Sequence, residues 1–173
     1  MRKAFLYTHN YDSRIVGNEC RDRDDISRSN FVVDSQLRYG ENPHQSAKLY
    51  RDVGAEKSIC DMEILNGKPV SYNNVVDMVS AMSAAQYQYI TRTHSCAVVK
   101  HSNPCGLANS VSQRKALEFA WKGDSMSAFG SVIAFNETVE LNTVKFFELE
   151  NKKNKKFIEV IVAPNFDNDA VDY

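Results

Sequence analysis

The chain alternates between short continuous apolar runs and segments in which apolar residues recur every three or four positions. The continuous runs are rich in β-branched residues and predict buried strands at residues 96–99, 131–135 and 157–163. The helical spacing predicts one helix capped by Asn73 or Asn74 and running to about Arg92, a second between Ser112 and Gly123, and a third at residues 141–149. This alternation favours right-handed crossovers and an α/β fold with parallel strands covered by helices.

The first part of the chain has a weaker pattern. A sparse helical stripe consists of Ala4, Phe5, Tyr7, Tyr11, Ile15 and Val16. A mixed-charge stretch at residues 21–25 follows, so residues 1–30 are interpreted as a short helix and a polar linker. Residues 37–45 contain Gly, Asn and Pro and predict a loop, with short strands at 47–50 and 62–65 and a turn at 66–69.

Composition and charge narrow the class of protein. The chain has 173 residues, 43% of them hydrophobic, and a net charge of −1, which gives no long-range attraction to nucleic acid or to an acidic membrane. No apolar run reaches the length of a membrane span, and the N-terminus lacks a signal-peptide core. The four cysteines form no C-x-x-C pair, which favours reduced thiols over a disulfide framework. We therefore expect a cytoplasmic protein that binds neither nucleic acid nor membrane.

The most informative segment is the heptapeptide at residues 100–106. It places Lys100 and His101 at the end of a predicted buried strand, where sites in α/β sheets commonly lie. Neighbouring residues of a regular strand point to opposite faces, so both side chains face one ligand only if the chain leaves extended geometry. Pro104 and Gly106 make a turn feasible there. The alternative is a surface lysine beside a half-buried histidine.

Zinc catalysis and cysteine nucleophilic catalysis are the less favoured interpretations of the same segment. Pro104-Cys105 matches part of the zinc-deaminase signature, but neither the second thiolate nor an H-x-E motif is present. No base and orienting residue are spaced to activate Cys105, so an inert thiol is the better interpretation. We expect no metal.

Five segments together resemble the formyltransferase part of the bifunctional enzyme family that joins aminoimidazole carboxamide ribonucleotide (AICAR) transformylase to inosine monophosphate cyclohydrolase. They occur in the family's order, at residues 37–45, 67–77, 99–108, 127–136 and 157–164. Residues 1–30 are similar to the end of the cyclohydrolase domain, and residues 31–173 to the first cytidine-deaminase-like half of the transformylase. The resemblance implies a three-layer α/β sandwich with a mixed or mostly parallel sheet.

The resemblance also implies roles for individual residues. Arg38 and Tyr39 would contact the ribonucleotide, with the guanidinium on its phosphate. The remaining candidates are Asn74 as a hydrogen-bonding group, Gly130 for close backbone approach, Glu159 as an acidic contact, His101 as general base and Lys100 as its electrostatic partner. A neutral imidazole suits proton removal from a weakly nucleophilic amine, and an ammonium suits the oxyanion formed during formyl transfer.

The function implied is formyl transfer from 10-formyltetrahydrofolate to AICAR in purine biosynthesis. The family's second half is not represented, and Ser131 follows Gly130 where the family often has a second glycine. A complete site is therefore expected to need a homodimer or a complementing second-half chain, and an apolar face is expected where that half packs. The alternative function is a catalytically inactive remnant, or a nucleotide-binding or interaction module, of the same fold.

Overall fold

The computed structural model describes residues 2–19, 31–87, 93–151 and 153–173. The chain forms two compact units. The smaller comprises Met1–Gln36 with Lys48–Glu63, and the larger comprises Leu37–Ala47 with Ile64–Tyr173. All seven predicted site residues lie in the larger unit.

The smaller unit contains a helix and a two-stranded ribbon. Helix α1 spans Arg2–Glu19 and confirms the predicted N-terminal helix, whereas the predicted linker lies largely outside the described residues. Strand β1 at Phe31–Gln36 was not predicted, and it pairs antiparallel with β2 at Lys48–Asp52. The strand predicted at 62–65 is wrong, because the chain forms a 3-10 turn at Ile59–Asp61 and then irregular backbone.

Arg51 joins three segments of this unit. Its guanidinium lies 3.3 Å from the Asp34 carboxylate and 2.5 Å from that of Asp61. Hydrogen bonds from Arg51, and then from the Ser58 backbone N–H, hold the pKa of Asp61 below its usual value. This network fixes the ribbon to the 3-10 turn without a large apolar core.

The larger unit is built on a four-stranded mixed sheet in the order β4-β3-β5-β6. The strands are β3 at His94–Lys100, β4 at Asn103–Ser110, β5 at Ser131–Phe135 and β6 at Ile158–Val162. Strand β3 pairs antiparallel with both β4 and β5, and only β5 and β6 are parallel. The three-layer prediction with a mixed sheet is confirmed, although it contains fewer parallel pairs than the alternation of elements suggested.

Helices cover both faces of this sheet. Cys96 and Val98 of β3 pack in the main core with helix α3, which spans Gln113–Gly123. The alternate residues, Ala97 and Val99, point to the other face, where α2 at Tyr72–Tyr87 packs. Because both faces are buried, the central strands read as continuous apolar runs.

The remaining helices are short. Helix α4 spans Leu141–Val144 and continues as a 3-10 turn at Lys145–Phe147, and α5 spans Asn168–Asp172. The helix predicted at 141–149 is therefore shorter than expected, since Glu148 adopts left-handed backbone at φ 52° and ends it. Among the residues that the structure describes, no helix has the length and apolar content needed to cross a bilayer.

Helix α3 lies directly on the backbone of β4. A Cβ at Gly106 would overlap the carbonyl oxygen of Ala120, and one at Gly123 would lie 2.7 Å from the carbonyl oxygen of Cys105. Only glycine permits this approach, so the pair fixes the helix against the strand that follows the candidate site.

Candidate functional site

Lys100 and His101 lie at a two-residue hairpin turn between β3 and β4. Lys100 pairs with Asn103, while His101 and Ser102 adopt positive φ angles of 52° and 61°. Positive φ at both central residues is the signature of a type I′ hairpin turn. The chain does leave extended geometry here, but it does so at His101 and Ser102 and not at Pro104 and Gly106, which were expected to make the turn feasible. Both lie within β4, an edge strand, where proline is tolerated.

The turn is held by a carboxylate that the sequence analysis did not single out. Asp77 of α2 accepts hydrogen bonds from the backbone N–H of Ser102 at 2.7 Å and of His101 at 3.2 Å. The Asn103 side-chain amide donates to the carbonyl of His101 at 2.8 Å. The exposed imidazole of His101 makes no hydrogen bond within the described ranges. It is therefore available to a ligand while its backbone is fixed.

Lys100 reaches across the sheet to the loop before β5. Its Nζ donates to the carbonyl oxygen of Phe129 at 2.7 Å. Gly130 follows at φ 72°, and a Cβ there would lie 4.0 Å from Lys100 Nζ and 3.5 Å from the Phe157 ring. The structure thus brings Lys100 and Gly130 together, as the sequence predicted for one site. Ser131 begins β5 and does not have a positive φ, so of these two residues Gly130 is the one in the left-handed conformation.

Two phenylalanines adjoin this contact. The rings of Phe129 and Phe157 lie 5.3 Å apart between centroids, and both are about half exposed. The Gly130 N–H donates to the carbonyl of Phe157 at 2.8 Å, which ties the loop to the start of β6. Exposed aromatic faces beside an ammonium suit a planar anionic ligand.

Arg38 and Tyr39 lie beside the start of α2. The Arg38 N–H donates to the carbonyl of Val70, and the Tyr39 carbonyl accepts from the N–H of Tyr72. The Arg38 guanidinium stacks 4.9 Å from the Tyr39 ring centroid, and Nη2 donates to the phenol oxygen at 3.3 Å. No carboxylate pairs with Arg38 among the described residues, so its charge is available.

Asn74 is buried in the first turn of α2. Its Oδ1 accepts from both the N–H and the hydroxyl of Ser71, and the Ser71 hydroxyl accepts from the Asn74 N–H. Ser71 is therefore the residue that caps the helix, and the prediction of a cap at Asn73 or Asn74 is wrong. Asn74 also lies three residues before Asp77, which places both on one face of α2.

Glu159 lies on β6 and is exposed. Ser131 pairs with Ile158 and Val132 pairs with Val160, so Glu159 is the extra residue of a β-bulge. The end of β3 and the starts of β5 and β6 lie side by side, since Val99 also pairs with Val132. Glu159 shares that end of the sheet, but no hydrogen bond or ion pair links it to Lys100 or His101 within the described residues.

These contacts form one continuous series. Arg38 and Tyr39 flank the start of α2, Asp77 of α2 binds the His101 turn, and Lys100 binds the loop of Gly130. The two backbone partners of Asp77 lie 24 and 25 residues away in the sequence, so only tertiary structure reveals this contact.

The remaining candidate groups add no second site to this series. Burial first, and the nearby Asp124 carboxylate second, raise the pKa of the Cys105 thiol, which agrees with an inert side chain. Within the described ranges, no group of three or more His, Cys, Asp or Glu residues could hold a metal ion. An open cavity of about 420 Å³ lies at the other end of the sheet and contains none of the predicted site residues.

The fold and the site define a class of protein: an α/β sandwich that presents an ammonium, an imidazole and a stacked guanidinium from neighbouring loops. A guanidinium and an ammonium on neighbouring loops are typical of domains that bind phosphorylated ligands. The family model of the AICARFT/IMPCHase bienzyme matches residues 1–173. The chain belongs to this family, and the resemblance drawn from five sequence segments is confirmed.

Three relatives carry the name bifunctional purine biosynthesis protein PurH. The protein of Persephonella marina is 42% identical over 179 residues, which cover 99% of this chain and 33% of that protein. The protein of Xanthomonas oryzae pv. oryzae is 41% identical over 84% of this chain and 26% of its own length. That of Neisseria gonorrhoeae is 37% identical over 99% and 34% respectively. The chain thus spans about a third or less of these relatives.

Proposed function

We propose that this chain contributes the ribonucleotide half of an AICAR transformylase site and takes part in formyl transfer during purine biosynthesis. The observation that carries the proposal is the His101 turn: its imidazole is unengaged by the described residues, and the ammonium of the preceding Lys100 reaches the Gly130 loop. Membership of the AICARFT/IMPCHase family supports the identity of the ligand. In this proposal the chain acts in the cytoplasm.

The proposed recognition of AICAR uses the cationic and planar groups of the site. Arg38 binds the phosphate, because its guanidinium is exposed and has no carboxylate partner within the described residues. Tyr39 supports that guanidinium by stacking, and Gly130 lets the backbone approach the ligand. Asn74 offers its Nδ2 amide, since Oδ1 is engaged by Ser71, and Glu159 provides an acidic contact from β6.

The proposed reaction moves one formyl group. The 5-amino nitrogen of AICAR bonds to the formyl carbon of 10-formyltetrahydrofolate while the carbonyl electrons move to oxygen. His101 removes a proton from that nitrogen, and the Lys100 ammonium stabilises the oxyanion. The oxyanion then collapses, the carbon–N10 bond breaks, and N10 takes the proton from His101. The products are formyl-AICAR and tetrahydrofolate.

The rest of the site comes, in this proposal, from polypeptide outside these 173 residues. The relatives are about three times as long, and exposed apolar side chains such as Phe129 remain in the larger unit. We therefore propose a homodimer, or assembly with a second-half chain that supplies the folate pocket. Residues 1–30 are proposed to correspond to the end of a cyclohydrolase domain and residues 31–173 to the first transformylase half.

A calorimetric titration with AICAR tests the nucleotide half-site. We expect micromolar binding that Arg38→Ala weakens by about tenfold or more, because a phosphate contact to a guanidinium is lost. Arg38→Lys keeps the positive charge but lacks the planar guanidinium. Its affinity for AICAR should fall between those of the unmutated chain and Arg38→Ala. Lys115→Ala, an exposed charge on α3, serves as the matched control and should bind like the unmutated chain. Absence of binding by the folded protein contradicts the half-site.

Complementation separates catalysis from binding alone. The chain is mixed with a separately expressed second half of a PurH relative, and formyl transfer is measured. Activity that requires both halves supports the enzyme. If both halves are folded and AICAR binds but no transfer occurs, the chain is a nucleotide-binding module instead.

A further inference from the structure

We infer that Asp77 is the positioning residue of the site, and that its carboxylate holds the His101 turn in its left-handed conformation. Two consecutive N–H groups, those of His101 and Ser102, converge on the two oxygens of this one side chain. The inference about the turn stands on this geometry, whereas its consequence for AICAR binding rests on the proposed function.

The residue types of the turn explain why a support is needed. Type I′ turns favour Asn-Gly or Asp-Gly because both central residues have positive φ. Here the two positions hold His101 and Ser102, whose Cβ atoms make that conformation costly. Hydrogen bonds to an ionised carboxylate are stronger than those between neutral groups, so the carboxylate offsets the cost. Asn103 adds a bond to the His101 carbonyl on the other side.

The support comes from a rigid element. Asp77 lies in the second turn of α2, a 16-residue helix whose Met78 and Ala81 are buried. Asp77 is itself only half-buried. The helix therefore fixes the backbone of His101 and leaves the imidazole free.

Nuclear magnetic resonance of the chain tests the role in the turn. The amide proton shifts and the one-bond Cα–Hα couplings of residues 101 and 102 report the hydrogen bonds and the sign of φ. In Asp77→Ala we expect both amide protons to move upfield and both residues to lose positive φ. Asp77→Asn, which keeps the side-chain shape, should show a smaller change in the same direction. Glu150→Gln, an exposed carboxylate remote in sequence, serves as the charge-matched control and should change neither residue.

A second substitution distinguishes positioning from a general loss of structure. Glycine adopts positive φ without strain, so Ser102→Gly should restore the turn in the Asp77→Ala background. We expect Asp77→Ala to weaken AICAR binding by about tenfold and the added Ser102→Gly to recover most of that loss. Ser102→Gly alone should bind like the unmutated chain.

The outcomes separate the inference from the proposed function. Unchanged amide shifts and φ signs in a folded Asp77→Ala variant overturn the inference. Recovery of the turn by Ser102→Gly without recovery of AICAR binding overturns the positioning role in binding, because Asp77 would then act on the ligand directly. If the unmutated chain binds no AICAR, the proposed function fails, and the resonance data alone decide whether Asp77 holds the turn.

Discussion

Strand β3 begins at His94 and is followed directly by His101, and the structure holds these two histidines in opposite ways. At the start of β3, the imidazole of His94 lies 2.9 Å from the Glu137 carboxylate and lines the cavity at that end of the sheet. At the other end, the protein fixes the backbone of His101 through Asp77 and Asn103 and leaves the imidazole unengaged by the described residues.

The same residue type can therefore be held by its side chain or held by its backbone. A partly buried side chain that lies against a carboxylate has little freedom to meet a ligand. A side chain whose backbone is fixed keeps its hydrogen-bonding capacity while losing conformational freedom, which lowers the entropy cost of binding. Substitutions at the end of the sheet that carries His101 test this difference between the two histidines.

Removal of the Lys100 or the His101 side chain at the turn should have the largest effect. In the enzyme completed by a second half, His101→Ala or Lys100→Ala should lower the rate of formyl transfer by about 10²–10³-fold. His94→Ala should leave the rate close to that of the unmutated protein. Initial rates of tetrahydrofolate release measure the effect, and thermal unfolding shows whether each variant is folded. Equal losses of rate in His101→Ala and His94→Ala would contradict the difference in role between the two histidines.

A side chain at Gly130 should have a smaller effect on the same end of the sheet. The φ of 72° is unfavourable for any residue with a Cβ, so Gly130→Ala should lower the free energy of unfolding by about 1–2 kcal/mol. Denaturant unfolding measures this change. Gly54→Ala is the matched control: its φ is not left-handed and its new Cβ meets only Asp52 Oδ1 at 3.5 Å. A stability loss at Gly54 as large as that at Gly130 would argue against backbone strain as the cause.

The smallest expected effect concerns the loop that carries Phe129. The Ser127 hydroxyl and then its N–H bind the Asp124 carboxylate and hold its pKa below the usual value of 3.8. Ser127→Ala should raise this pKa toward that value, as a titration of the carboxyl carbon by magnetic resonance would show. Because the folded-state pKa is lowered, the ionised carboxylate stabilises the fold at pH values above the usual pKa. This contribution is lost as the pH falls through the folded-state pKa. The stability difference between the two proteins should therefore shrink in acid.

Much of the fold was predictable where burial on both faces leaves a continuous apolar run. Strand β5 was predicted with its observed bounds, and β3 with most of its length. Strand β4 was missed because Asn103, Pro104 and Gly106 are typical of turns, and edge position is what makes them acceptable. The antiparallel pairing of β3 with β5 depends on that additional strand, so alternation of elements could not reveal it.

The candidate site likewise contains residues that the sequence could reveal and one residue that it could not. Lys100, His101 and Gly130 could be selected from local patterns and from the resemblance, and the structure places Lys100 beside Gly130. Asp77 could not be selected on that basis, since helical residues with carboxylates are common and its partners are remote in sequence. The roles of Arg38, Tyr39, Asn74 and Glu159 stay predictions that ligand binding must test.

The two-residue connection between β3 and β4 also has a consequence for the order of folding. It is the shortest loop between paired strands of this sheet, whereas β5 and β6 are joined across residues 136–157. Short loops close with the least entropy cost, and isolated hairpins form in about 1–10 μs. We therefore expect the β3–β4 hairpin to pair early, before the parallel strands meet, so that the segment carrying Lys100 and His101 gains its shape ahead of the surrounding loops.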